Sequence, residues 1–166
     1  MRKPIKIICL VLVIILLIAA GLYYIPLKTT INTKMYAVVV DDGEISPGSE
    51  IKVTGSIKQY LFQSSQMDVD ISLGDIKIEN NEEISVSLHW SKGKTSSPHP
   101  YYMDSYTCYS KTVNHFVGGQ FGMSHDLDWV VLRYPQEKNR YIVASTDPDF
   151  DPHEVMAAYH QVLYID

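Results

Sequence analysis

The sequence contains few cysteines and no glycosylation acceptor. Only Cys9 and Cys108 occur among 166 residues, and Cys9 falls in a long apolar run that we expect to lie in a membrane, out of reach of Cys108. No intramolecular disulfide is therefore expected, so the exported domain must rely on packing. Free cysteine is commonly buried, and we interpret Cys108 as a small core residue rather than a reactive thiol. Because no Asn-x-Ser/Thr site is present, nothing indicates a glycosylated surface.

Charge and proline are missing from residues 7–25. A helix of this length rises ~29 Å, close to the ~30 Å hydrocarbon core of a bilayer. A continuous helix also satisfies its own backbone hydrogen bonds, which lipid cannot do. The run has no polar stripe of the kind that a core helix shows. These features predict a transmembrane helix over residues 7–25.

The basic residues around this run predict its orientation. Three precede it and two follow it closely: Arg2, Lys3 and Lys6, then Lys28 and Lys34. This excess favours a cytoplasmic N-terminus and an exported remainder. We expect an uncleaved signal anchor, because the run exceeds the ~7–15 apolar residues of a signal peptide. A cleaved signal remains the alternative, since Ala19 and Gly21 have the spacing that a signal peptidase recognises.

Basic charge is scarce in the rest of the chain. Residues 28–166 hold all nineteen acidic residues but only eleven of the fourteen Lys and Arg, a formal charge of −8. An acidic surface repels phosphate backbones, so nucleic acid is not expected as a partner. The predicted organisation is a cytoplasmic stub at 1–6, the membrane helix at 7–25, a spacer at 26–33 and one extracytoplasmic β domain at 34–166.

Alternating apolar residues predict that this domain is mostly β. The clearest runs are Ile51, Val53, Ile57 and Leu61; Met67, Val69, Ile71 and Leu73; and Ile84, Val86, Leu88 and Trp90. The apolar parity changes after Gly74, which indicates a turn or an extra residue. Residues 129–134 and 141–145 are apolar on both faces, as central strands are. Seven to nine strands are expected, in an antiparallel β-sandwich or a partly open barrel.

The tail predicts a single C-terminal helix. Asp151 can cap it, Pro152 suits its first position and Glu154 completes a capping pattern. Apolar residues then recur at helical spacing: Val155, Ala158, Tyr159 and Val162. This helix should pack its apolar stripe on the sheet.

Two groups of residues are candidate metal ligands. Asp147, Asp149 and Asp151 resemble the start of a calcium loop, but Pro152 and Ala158 occupy the positions where the loop needs Gly and a bidentate Glu. We therefore interpret them as an acidic turn whose last member caps the tail helix. The second group, a candidate for zinc, is His115, His125, Asp126 and Asp128. Neighbouring residues of an extended chain point to opposite faces, so we interpret this group as surface residues.

A cluster of tyrosines is a candidate binding surface. Tyr101, Tyr102, Tyr106 and Tyr109 cluster beside a Pro-rich loop, and tyrosine is favoured where one end of the ring packs and the other meets water or a partner. Ordinary packing within a strand is the alternative. We find no catalytic constellation and no cofactor motif, so no cofactor is expected.

The sequence thus predicts a single-pass membrane protein of a bacterial cell envelope, with a non-enzymatic β domain that binds another protein or an envelope ligand. Two alternatives stay open. One is a metal-binding protein or metal-dependent hydrolase that uses the His115, His125, Asp126 and Asp128 region. The other is an accessory subunit of a membrane complex, in which the apolar helix itself makes the contact.

Overall fold

The computed structural model describes residues 2–60, 65–90, 101–110, 114–124 and 126–163. It contains two helices and eight strands in this part of the chain, in the order α1 (Arg2–Tyr24), β1 (Leu27–Asp41), β2 (Glu44–Gln59), β3 (Ser65–Ser72), β4 (Glu83–Trp90), β5 (Tyr101–Ser110), β6 (His115–Ser124), β7 (Trp129–Arg133), β8 (Arg140–Ser145) and α2 (Pro152–Leu163).

The eight strands form one antiparallel sheet that curls into a nearly closed barrel. Their order is β4-β3-β2-β1-β8-β7-β6-β5, and the two outer strands, β4 and β5, come back into contact with each other. The prediction of a mostly β fold with one C-terminal helix is confirmed. Of the two expected architectures, the structure has the barrel rather than the sandwich.

Glycines allow sharp changes of direction in the sheet. Gly74 has φ of +61°, a left-handed conformation, and forms the turn after β3 that changes the apolar parity. A β-bulge between Ala37 and Val39 shifts the register of β1 on β2. A Cβ at Gly48 would collide with the backbone of Ala37 and Val38, so the bulge requires glycine there.

The inside of the barrel holds the main core. The inward residues predicted for β2 and β3 are buried, as are Ile84 and Val86 on β4. Leu61 and the side chains of Leu88 and Trp90, which were also predicted to point inward, lie outside the described residues. Tyr106 also lies inside, where its ring occupies the space that a side chain at Gly119 would need. Cys108 is 5% exposed and belongs to the same core, so its predicted role as a buried small residue is confirmed. Burial raises the pKa of its thiol, so a smaller fraction of Cys108 is present as the reactive thiolate.

A second, smaller core lies between α2 and the outside of the barrel. Tyr159 of α2 is fully buried there against the outer face of β7 and β8. Gly122 of β6 makes room for this ring, because a Cβ at that position would lie 2.7 and 2.8 Å from two of its carbon atoms. These contacts explain why β7 and β8 are apolar on both faces. One face lines the barrel interior and the other lies beneath α2.

The N-terminal segment differs from the prediction. Among the residues that the structure describes, no helix is long and apolar enough to cross a membrane, whereas the sequence predicted one at residues 7–25. The helix α1 does cover most of that range.

The spacer predicted at residues 26–33 is also corrected. The strand β1 begins at Leu27, and residues 27–33 pair with the end of β2. Ile31 is 2% exposed and belongs to the inner core. The polar residues around it occupy the outward positions of a strand, because side chains alternate across a sheet. Only a two-residue link, Ile25 and Pro26, separates α1 from the barrel.

Candidate functional site

A groove beneath α2 is the best-formed candidate site. It has a volume of about 480 Å³, within the range of small-molecule sites. It lies on the outside of the barrel, between α2, the β1–β2 turn and the loop that joins β7 to β8. The polar and aromatic residues that line it are Asp42, Arg133, Lys138, Asn139, Tyr141, His153 and His160.

The β1–β2 turn and the β7–β8 loop are fixed to each other at one side of the groove. Asp42 and Gly43 have φ of +48° and +89°, as the tight turn of a two-residue hairpin requires. The Asn139 side chain donates to Asp42 Oδ1 at 2.7 Å, and the Asp42 backbone N–H donates to the Asn139 carbonyl at 3.1 Å. The Tyr141 hydroxyl donates to the Lys138 carbonyl at 3.2 Å, which holds the loop against β8.

The other side of the groove is α2. Its start is capped as predicted: Asp151 Oδ1 accepts a hydrogen bond from the His153 backbone N–H at 2.8 Å. His153, Met156 and His160 recur at three- and four-residue spacing, which places them on one face of the helix. All three line the groove. Because Tyr159 packs on the barrel, it holds the helix in the position that forms the groove.

The groove has more positive than negative charge. Arg133 Nη1 donates to the neutral Oε1 of Gln120 at 3.0 Å. Among the described residues, no carboxylate forms an ion pair with Arg133 or Lys138. Asp42 supplies the sole carboxylate among the described lining residues, and Asn139 already donates to it. Two cations therefore face one carboxylate, before either imidazole is protonated.

His160 lines the groove close to Arg133. Its ring meets the Tyr141 ring edge-on, with centroids 5.6 Å apart. Partial burial lowers the pKa of the imidazole, and the nearby positive charge of Arg133 lowers it further. These surroundings favour the neutral form of His160, because its proton would add a charge beside an existing cation.

A second hollow adjoins the first. It measures about 470 Å³ and shares Arg133 and Lys138 with the groove, while Glu137 and Tyr134 lie on its other side. Glu137 is engaged by Arg140, whose Nη1 lies 3.2 Å from a Glu137 carboxylate oxygen. Arg133 and Lys138 therefore line both hollows. The carboxylate of the second hollow, Glu137, already forms an ion pair with Arg140.

The predicted zinc ligands do not form a cluster among the described residues. His115 begins β6, whereas Asp126 and Asp128 follow its last residue, and a ten-residue strand separates its ends by ~30 Å. His125 lies outside the described residues. In the described part of the chain, no three His, Cys, Asp or Glu residues come together in a way that could hold a metal ion.

The acidic residues after β8 form a turn. Asp147 Oδ1 accepts a hydrogen bond from the Asp149 backbone N–H at 3.0 Å. Asp151 caps α2, and all three side chains are exposed. This arrangement supports their interpretation as turn and cap residues, which use their carboxylates on nearby backbone.

The four tyrosines of the predicted cluster lie on strand β5. Tyr106 is 2% exposed, and its hydroxyl donates to the Arg133 carbonyl at 2.7 Å. Burial raises the pKa of this hydroxyl, so it remains a neutral donor. Tyr106 is therefore a packing residue. The backbone of Tyr101, Tyr102 and Tyr109 belongs to the same strand, but their side chains lie outside the description.

Sequence reasoning did not find the groove. Its cations come from β7 and the following loop, its imidazoles from α2 and its carboxylate from the β1–β2 turn. The seven-residue spacing of His153 and His160 was the one local signal, since it places both on one face of the predicted helix. Nothing in the sequence placed Arg133 opposite that face.

The fold and the groove define this chain as a nearly closed, eight-stranded antiparallel barrel with a helix packed on its outside. Comparisons with models of protein families, with curated proteins and with solved structures found no match to it.

Proposed function

We propose that this protein is a membrane-attached binding protein. In this proposal, α1 holds the chain at a cell-envelope membrane, the barrel lies on the outer side, and the groove beneath α2 receives a ligand. The proposed role is non-enzymatic, because the described residues that line the groove include charged groups but no nucleophile paired with a base.

The observation that carries the membrane proposal is the exposure of α1. All ten large apolar side chains described between residues 8 and 18 are exposed, with values from 47% to 67%. Neither core of the barrel includes a residue of α1. A contiguous apolar surface of this kind is unfavourable in water and indicates an apolar environment around it. The uncharged sequence over residues 7–25 extends the same character beyond the described side chains.

The course of β1 supports a groove that faces away from the membrane. This strand starts at Leu27, directly after α1, and ends at Asp41 beside the groove. Its fifteen residues cover up to ~45 Å. A ligand could then reach the groove from the aqueous side while α1 stays in lipid.

Fewer observations support the two alternative roles. The metal hypothesis needs His125, which lies outside the described residues, together with groups that the ends of β6 hold apart. The accessory-subunit hypothesis shares the exposed surface of α1 with the anchor proposal and differs only in what covers it, which is another protein rather than lipid.

Flotation of the full chain with liposomes tests the anchor. We expect it to float and to resist extraction with alkaline carbonate. The double variant Leu12→Lys/Leu16→Lys should lose this behaviour, because each charge near the middle of a spanning helix costs ~2.5–3.5 kcal/mol. Phe116→Lys is the matched control, since Phe116 is 70% exposed on the barrel. Recovery of the unmodified chain without detergent would overturn the proposal.

Two further measurements complete this test. Protease added to intact cells should digest the barrel if it lies outside, whereas an untouched barrel would contradict the proposed orientation. Gentle detergent extraction should yield the chain without a stoichiometric companion. A companion that is lost with the Leu12→Lys/Leu16→Lys variant, but kept with Phe116→Lys, would favour the accessory subunit instead.

A further inference from the structure

We infer that the groove beneath α2 binds the oxyanion group of a small soluble ligand, a phosphoryl or carboxylate group held by Arg133 and Lys138 with the imidazoles of His153 and His160 beside it. This inference rests on the proposed binding function and adds the chemical class of the ligand.

The first argument is the local reversal of charge. Residues 28–166 carry a formal charge of −8, yet Arg133 and Lys138 face the groove without a described ion-pair partner. Some other cations of the barrel are paired, such as Lys77 with Glu82 at 2.8 Å and Arg140 with Glu137 at 3.2 Å. Lys28 and Lys52 also form no described ion pair, but they do not line this groove. The groove differs because two such cations line one concave surface, where an oxyanion would supply their counter-charge.

The second argument is the chemistry of the donors. Arg133 uses Nη1 on a neutral amide oxygen, and a guanidinium carries five N–H donors in a planar fork that matches the spacing of two oxyanion oxygens. Lys138 adds a second cation from the loop that follows β7. Charge-assisted hydrogen bonds of this kind are about twice as strong as neutral ones.

The third argument is the shape of the site. Val40 and Met156 add apolar surface to the lining beside the charged groups. A volume of about 480 Å³ admits a small molecule rather than a folded partner. The groove also lies at the end of β1 remote from α1, which favours a soluble ligand over a lipid headgroup.

Protonation of His160 should be coupled to binding. The charged and titratable groups around it are Arg133 on β7, Tyr141 on β8, Tyr159 and His153 on α2, and Asp42 and Lys138 in the adjoining loops. The anion would oppose the effect of Arg133 and favour the imidazolium. Binding should therefore raise the pKa of His160 from its lowered value, and by linkage the affinity should increase as the pH falls.

Sulfate is the probe of choice because it stays a dianion across this pH range. Full-length protein with isotope-labelled histidine, in phosphatidylcholine nanodiscs, is titrated with sodium sulfate while sodium chloride keeps the ionic strength constant. We expect a saturable shift of the His160 ring signals and an increase in its pKa. Arg133→Gln should weaken binding by about tenfold or more, and Lys138→Gln should also weaken it.

Two variants and a lipid control make the test decisive. Lys52→Gln removes an exposed cation of β2 outside the groove and should leave sulfate binding unchanged. Arg133→Lys keeps the charge but loses the fork, so it should recover part of the affinity. A response to sulfate equal to that of chloride would overturn the inference, as would equal weakening by Lys52→Gln. A response only to phosphatidylglycerol in the nanodisc would also overturn it.

The two proposals fail separately. Loss of liposome flotation would remove the anchor and leave the sulfate response intact. Loss of the sulfate response would remove the ligand class and leave flotation unchanged.

Discussion

The acidic turn at residues 147–151 and the groove beneath α2 both gather charge of mainly one sign, but they treat it differently. In the turn, Asp147 and Asp151 accept hydrogen bonds from backbone N–H groups two residues further along the chain. In the groove, Arg133 and Lys138 come from different segments and have no described carboxylate partner.

The difference separates structural charge from charge available for binding. A carboxylate that accepts a hydrogen bond from nearby backbone stabilises a turn or a helix end, and its position in the sequence accounts for it. Arg133 and Lys138 are close in the chain, but α2 and the β1–β2 turn, which face them across the groove, are distant in sequence, so local structure does not explain why these cations line a groove without a counter-ion. This contrast makes the groove a better candidate site than the acidic motif, although the motif is the more visible of the two in the sequence.

Among substitutions that test the contrast between the groove and the acidic turn, Gly122→Ala should cause the largest loss of stability. The new Cβ would lie 2.7 and 2.8 Å from the Tyr159 ring, so α2 must shift and one side of the groove moves with it. Overpacking of this kind costs ~1–3 kcal/mol of unfolding free energy. Urea denaturation measures the loss, and the sulfate response of His160 should weaken in the same variant.

Gly118→Ala is the matched control for that change. A Cβ at Gly118 would meet only the Tyr106 carbonyl oxygen at 3.8 Å, an ordinary contact. Its unfolding free energy should stay within ~0.5 kcal/mol of the unmodified protein. Equal destabilisation by the two substitutions would show that the fit of Tyr159 over Gly122 does not hold α2 in place.

The next effect in size concerns the acidic turn. Asp151→Ala removes the carboxylate that caps α2 and should cost ~1 kcal/mol, as the loss of a cap typically does. Asp149→Ala is the control, because the described hydrogen bond of Asp149 in this turn uses its backbone N–H. Thermal or urea unfolding of both variants should show a loss for Asp151→Ala alone. A similar loss for Asp149→Ala would mean that the turn uses its carboxylates jointly, as an ion site does.

Much of the barrel could be predicted because its signals are local. Alternation marks the buried face of a strand, as for Met67, Val69 and Ile71, and it depends only on the geometry of extended chain. The turn at Gly74 and the cap at Asp151 are equally local, since each depends on the conformations or hydrogen bonds of a few neighbouring residues.

The strand at residues 27–33 and the groove could not be predicted, because the signals for them are not local. Polar residues 28–30 resemble a linker until the strand beside them is known, and Ile31 alone does not reveal an alternating pattern. The groove depends on the order in which the sheet places β1, β8 and β7 next to one another, and on the seat of Tyr159 over Gly122. Such contacts join residues far apart in the chain, and the periodicity of one segment carries no information about them.

The smallest expected effect is the pH dependence that His160 contributes to stability. Burial, with a further effect of Arg133, lowers its pKa in the folded protein below the ordinary value of 6.5. The unfolded chain therefore takes up the proton first, and the contribution of His160, present above pH ~6.5, is lost as the pH falls towards the folded-state pKa. In urea denaturation between pH 7.5 and 5.5, at constant ionic strength and without sulfate, His160→Gln should lose less stability than the unmodified protein. If the two curves run parallel, His160 is not held beside an unpaired cation, and the groove loses the property that distinguishes it from the acidic turn.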